Sequence, residues 1–195
     1  MILPSAKDVL EFWFQEIGEA RWFNGGDELD GMIRDRFLPL WERAMEGRLG
    51  LWLTTPPEAL AYVILLDQFP RNMFRGDALS FASDAHARAA AKTVISRDWD
   101  LKLAERERIF LYLPLEHSEN LVDQDRCVRL VKARMPELGA DYLLHARAHR
   151  EQIRRFGRFP TRNASLRRTT TPDEQAFLDR GGYPALVEEL KAGAD

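Results

Sequence analysis

TPPEALAYVILLDQ, residues Thr55–Gln68, decides the class of fold. Thr55 reads as a helix cap, Pro56 suits the first helical position, and Glu58 stands at the reciprocal position of a capping box. From Ala59 to Leu66 the run is apolar without a break. Such a helix is apolar nearly all round, which places it at the centre of a packed structure rather than on its surface. Leu60, Val63, Ile64 and Asp67 share one face. The run is far short of the ~20 residues that cross a bilayer. A buried helix needs other helices to cover it, and the flanking sequence offers them.

Upstream, Ser5 and Asp8 form a capping box for a helix carrying Val9, Leu10, Phe12, Trp13 and Phe14. Asn24-Gly25-Gly26 breaks the chain, and Asp27 is the expected cap of the next helix, whose stripe is Ile33, Phe37, Trp41 and Ala44. Pro39 inside that stripe predicts a kink or a helix boundary. Downstream, helices are predicted over about 83–97 and from about Leu103 into an acidic knot. The next, capped by Ser118, runs to about Arg134. Another covers 140–156 and is stopped by Gly157. The segment GRFPTRNASLRR has no periodicity. Thr171-Pro172-Asp173-Glu174 repeats the earlier start signal, and Gly181-Gly182 leads into a last helix ending near Lys191. No stretch alternates as a strand would. The chain is expected to be all-α, about eight helices in antiparallel pairs forming a single domain over residues 1–195.

With 45% hydrophobic residues the chain can bury a substantial core. A net charge of −3 argues against a general polyanion binder. The N-terminus has no signal-peptide core, so the location is expected to be cytoplasmic, with no membrane partner. The single cysteine, Cys127, reads as a small buried thiol among Val128, Leu130 and Val131.

Three polar stretches stand out, and the scaffold is expected to bring them together. In DQFPRNMFRG (Asp67–Gly76), Asp67 ends the buried helix and invites pairing with Arg71 or Arg75. Gln68 and Asn72 can serve backbone groups freed by Pro70. In IFLYLPLEHSENLVDQ (Ile109–Gln124), the stripe of Ile109, Tyr112 and Leu113 continues at Glu116, with His117, Glu119, Asp123 and Gln124 following. Pro114 should bend or end that helix. Carboxylates on an apolar stripe are costly unless paired. In RRFGRFPTRN (Arg154–Asn163), arginines interleave with Phe156 and Phe159, and His145 and His149 lie one turn apart just upstream. The acids around Glu116 are therefore expected to neighbour the arginines around Arg158 and Arg162. Glu116, His117 and Glu119 supply metal-ligand residue types without a specific spacing, so no metal and no cofactor is expected.

These motifs resemble those of the bacterial domain-of-unknown-function family 924: EFWF (Glu11–Phe14), DQFPRNMFRG, YLPLEHSE (Tyr112–Glu119) with Asp123-Gln124, and His149 with FGRFPTRN (Phe156–Asn163). The resemblance spans nearly the whole chain. It implies an all-helical fold of the tetratricopeptide-like superfamily, a right-handed array that usually serves as a binding scaffold. Members commonly carry histidine where this chain has Thr161, which weakens any mechanism that needs an imidazole there.

The expected function is a binding scaffold with one polar groove for a small anionic or peptide-like ligand. Asp67, Arg71, Asn72, Arg75, Glu116, His117, Glu119, Asp123, Gln124, His149, Arg158, Arg162 and Asn163 are its candidate ligand-binding residues. The alternative is a hydrolase using Glu116, Asp67 or His117, with or without a divalent metal. A third reading makes the motifs a structural charge network. Nucleic acid is disfavoured as a partner, and the oligomeric state is not legible.

Overall fold

Ser5 starts the first helix as its sequence predicts: its hydroxyl accepts from the Asp8 amide at 3.3 Å, and the Asp8 carboxylate accepts from the Ser5 amide at 2.7 Å. The structure is a computed structural model that describes residues 3–193, and all regular structure among them is helical. The first helix, α1 (Ala6–Glu11), passes into a wider π-helical turn over Phe12–Ile17. There the Trp13 carbonyl accepts both from Gly18 N, five residues on, at 3.2 Å and from the Trp22 indole at 2.9 Å.

Helix α2 (Asp27–Met45) is capped by Gly26, not Asp27. Asp27 is the first residue inside, and with Glu28 and Asp30 it puts negative charge in the first turn, where the helix dipole favours it. Pro39 lies within α2 and is not a boundary. Helix α3 (Pro56–Asp67) is buried from Ala59 to Asp67 without interruption, as its composition requires. Thr55 precedes it without a side-chain cap, its hydroxyl donating instead to Glu58 at 3.0 Å. Then follow α4 (Phe69–Met73), α5 (Asp84–Ser96) and α6 (Glu105–Glu116), which continues two residues past Pro114. Helix α7 (Leu121–Arg134) is capped by Asn120, whose side chain accepts from Val122 N at 2.9 Å. The expected cap, Ser118, spends its hydroxyl on Asp123. Helices α8 (Gly139–Phe156), α9 (Pro172–Asp179) and α10 (Gly182–Ala192) complete the chain.

The described residues group into two compact units that divide between Pro114 and Leu115. In the first, α3 packs against α1, α2 and α5. Its core is aromatic: Phe12 lies 4.9 Å from Phe37, Phe37 lies 4.8 Å from Phe69, and Trp13 and Trp22 both meet Phe110 edge-on. Ser83 ties α3 to its neighbours, donating to the Leu66 carbonyl at 2.6 Å and accepting from the Trp41 indole at 3.1 Å. Ser83→Ala leaves that buried indole N–H unmet, an expected loss of about 1–3 kcal/mol in urea unfolding. A variant as stable as wild type would show the bridge to be dispensable.

In the second unit α7 and α8 pack along each other. They come so close at Gly139 that a Cβ there would sit 3.2 Å from the Val131 carbonyl oxygen. Cys127 and Val131 are fully buried. Phe177, Leu186 and Val187 from α9 and α10 pack on Ala148 of α8. Gly157 ends α8 in the left-handed conformation, φ 69°, as glycine at this position allows. No helix among the described residues is long and apolar enough to cross a membrane.

Candidate functional site

The first polar stretch lies in the first unit, at the corner between α3 and α4. Asp67 accepts from Arg71 at 3.2 Å and from the Gln68 amide at 2.6 Å. Arg71 also reaches Asp84 at 3.0 Å. Arg75 pairs with Asp30 rather than Asp67, at 2.6 and 2.9 Å, and Asn72 donates to the same carboxylate at 2.8 Å. Gln68 and Asn72 thus serve carboxylates, not the backbone groups expected of them. Burial works to raise the Asp30 carboxyl, but the hydrogen bonds from Arg75 and Asn72 outweigh it and hold it below the usual range.

The second and third stretches lie together in the second unit, but the ion pairs differ from those expected: Glu116 pairs with His149, Glu119 with Arg168 and Arg158 with Glu174. Helix α6 ends at Glu116, and Gln124 donates to the Glu116 carbonyl that this end leaves open and to the Ser118 carbonyl beyond it. Glu119 accepts from the Phe159 amide at 2.9 Å and from both terminal nitrogens of Arg168 at 2.8 Å. Glu174, a residue the sequence reading passed over except as a cap, accepts from Arg158 at 2.5 and 2.7 Å, from Asn163 at 3.2 Å and from Thr171 N at 2.8 Å. These two carboxylates fasten the aperiodic segment after Gly157. Arg158 brings the Glu174 carboxyl down to about 2. Glu119 is also lowered, because Arg168 and the Phe159 amide overcome the opposing effect of burial. Arg154 and Arg155 are both taken up by Glu151 at 2.6 Å.

The end of α6 also carries an imidazole–carboxylate pair. Glu116, 4% exposed, has Oε1 3.0 Å from His149 Nδ1, which lies 3.0 Å from the His145 carbonyl oxygen as well. Both neighbours of Nδ1 are acceptors, so Nδ1 carries a proton, and Nε2 is the ring nitrogen left for other work. Burial opposes both charges, but the pair's mutual attraction prevails: Glu116 is lowered and His149 raised from its ordinary value. The Cys127 thiol, 3.9 Å from Glu116 Oε2, is pushed well up by burial and by that carboxylate. Tyr183 Oη lies 2.5 Å from His145 Nδ1. Burial, with a contribution from Glu116, raises the Tyr183 phenol.

His149 opens onto a cavity of about 260 Å³ lined by His149, Gln152, Phe159, Thr161, Arg162 and Tyr183. Arg162 lies over the Phe159 ring at 4.6 Å and donates to the His117 carbonyl at 3.0 Å. Of the sequence candidates, His149 and Arg162 line this cavity. Glu116 stands behind His149, and His117 contributes its backbone. Glu119, Asp123, Gln124, Arg158 and Asn163 hold surrounding backbone and side chains. Gln152 and Tyr183 were missed. Gln152 had a signal, since it continues the face of His145 and His149 at a helical spacing; Tyr183, on a separate helix, had none. Among the described residues, no group of three or more His, Cys, Asp or Glu side chains could hold a metal ion.

Comparison with known proteins places this arrangement among proteins without a described activity. The sequence pattern of a bacterial protein family of unknown function, DUF924, matches residues 9–182. The solved structure of ATU0120, a protein of unknown function from Agrobacterium tumefaciens, is similar at a TM-score of 0.84 and 40% identity, over 90% of this chain and 97% of that one. No curated protein matches the chain.

Proposed function

The chain belongs to the bacterial DUF924 family, and we propose that it is a binding protein whose ligand, a small anion or peptide-like molecule, occupies the cavity bounded by α8, α10 and the segment after Gly157. The observation that carries this reading is that Arg162 and the Glu116-paired His149 both line the cavity. The charge of Arg162 works against proton uptake by His149, and an anion held between them would relieve that repulsion. Arginine stacked on an aromatic ring is well placed for a carboxylate or phosphate. Glu119, Glu174, Arg158, Arg168 and Asn163 act by holding the cavity's wall in place, and Asp67, Arg71, Asn72 and Arg75 by fixing the α3–α4 corner.

A hydrolytic role has one observation in its favour, the Glu116–His149 pair. Glu116 is too buried to meet a substrate directly, so a proton would pass through His149 Nε2, with Glu116 stabilising the imidazolium.

Thermal unfolding tests the binding reading. A ligand at about 100 times its Kd stabilises the folded state by about 2.7 kcal/mol, which for a chain of this size raises Tm by roughly 5–10 °C. Millimolar phosphate or a small carboxylate is expected to give such a rise, and Arg162→Lys to abolish most of it while keeping the charge. Oligonucleotide binding with a steep salt dependence, unchanged in Arg162→Lys, would instead favour a nucleic-acid surface.

A further inference from the structure

We propose that Asn24 is a site of self-modification, where the chain's own backbone converts the side-chain amide to a carboxylate, and that one of the two products disturbs the start of α2. The attacking atom is the main-chain nitrogen of Gly25, which must be free and unhindered. Asn24-Gly25 lies between the short turn Glu19–Arg21 and α2, outside any helix, and both residues are exposed. Among the described residues, nothing accepts from Gly25 N and nothing donates to Asn24 Oδ1. Asn24 is tied only through Nδ2, which donates to the Ala20 carbonyl at 3.2 Å. Glycine has no side chain to shield its nitrogen, and packing keeps a glycine here. A Cβ at 25 would sit 2.6 Å from Arg75 Nη2 and 2.9 Å from Asn72 Nδ2. Asp30, in the first turn of α2, holds both nitrogens, so a larger residue would have to prise them from that carboxylate.

The other asparagines lack these conditions. Asn72 and Asn163 are buried and precede Met73 and Ala164. Asn120 is exposed but precedes Leu121, and its Oδ1 is engaged as the cap of α7. In the reaction Gly25 N gives its proton to water or hydroxide and bonds to Asn24 Cγ. Nδ2 takes up a proton and leaves as ammonia, and a succinimide ring remains. Water then opens the ring at one of its two C–N bonds. Breaking the bond to Cγ gives aspartate. Breaking the bond to the main-chain carbonyl carbon gives isoaspartate, whose backbone runs through the former side chain. One water is consumed, one ammonia is released, and nothing is oxidised or reduced. Either product adds a negative charge to the chain's net −3. Only isoaspartate adds a carbon to the main chain, directly before Gly25 and the Arg75 and Asn72 side chains that crowd it.

Ageing the full chain tests this. The protein is held in mildly alkaline buffer at 37 °C, the acidic form is separated by ion exchange, and peptide mass analysis with an isoaspartyl methyltransferase assay locates the change. Asn24 is expected to convert at least about tenfold faster than Asn120, a gap that needs a barrier only about 1.4 kcal/mol lower. Asn24→Gln, whose longer side chain closes a less favourable ring, is expected to lose the acidic form. Unfolding the chain in urea is expected to change the Asn24 rate by less than about tenfold, because the fold leaves the pair open. The isoaspartyl form is expected to melt below Asn24→Asp, which carries the same charge without the extra carbon. Conversion of Asn120 as fast as Asn24, an acidic form that survives in Asn24→Gln, or a far larger acceleration in urea would overturn the site. Equal melting temperatures for the isoaspartyl form and Asn24→Asp would overturn its link to the start of α2.

Discussion

Glu116→Ala is expected to lower the unfolding free energy by about 3–5 kcal/mol near pH 6, because it removes one half of a buried charged pair and leaves the other without compensation. The loss depends on pH with a defined sign. His149 is raised in the folded state, so its share of the stabilisation is full below its unfolded value of 6.5 and fades as pH rises through the higher folded value. Glu116 is lowered, so its share is present above the unfolded 4.5 and is lost as pH falls through the folded value. The variant should therefore differ most from wild type between about pH 4.5 and 6.5, and less at pH 9. Urea unfolding followed by circular dichroism at pH 6 and pH 9 measures this. A loss of the same size at both would show that shape, not charge, makes Glu116 matter. Glu116→Gln, which keeps an acceptor for Nδ1, is expected to fall between the two.

The second large effect is at Glu174. Its carboxyl moves from an ordinary 4.5 to about 2, chiefly through Arg158; the carboxylate side chain is only 3% exposed but the guanidinium is 28% exposed. Because Arg158 stands partly in solvent, which screens the pair, the shift corresponds to about 1–2 kcal/mol of stability. Because the folded value is depressed, this contribution is full above 4.5 and disappears as pH falls through about 2. Glu174→Gln should be less stable than wild type at pH 7, and the gap should close between about pH 4.5 and 2. Parallel acid unfolding curves for the two proteins, offset by a constant amount, would contradict it.

How much of this was legible in the sequence depended on whether the signal was local. The helices of the buried centre were clear because apolar residues and start signals lie within one element: Ser5 with Asp8, Pro56 and Thr171 each mark a true beginning. Caps chosen by residue type alone were less secure. Gly26 displaced Asp27 because an extended backbone at Gly26 already leads into the helix. Asn120 displaced Ser118 because Ser118 found a better partner in Asp123. The π-helical turn after Glu11 left no mark, since it answers to Trp22, which reaches back to the Trp13 carbonyl. The same distinction governs the site. That the acids near Glu116 take basic partners follows from the cost of burying them alone. Which acid takes which base does not, because Glu174 and Tyr183 reach it from helices far along the chain.

The chain's five tryptophans, Trp13, Trp22, Trp41, Trp52 and Trp99, all fall before Pro114, while its one cysteine falls after it. Cys127 is fully buried on α7, with its thiol held in the unreactive protonated form. The two compact units therefore carry separate natural reporters. Indole fluorescence follows the first, and the rate at which a thiol reagent captures Cys127 follows the opening of the second. Run side by side on the unmodified protein, the two signals would say whether one half can open while the other stays folded.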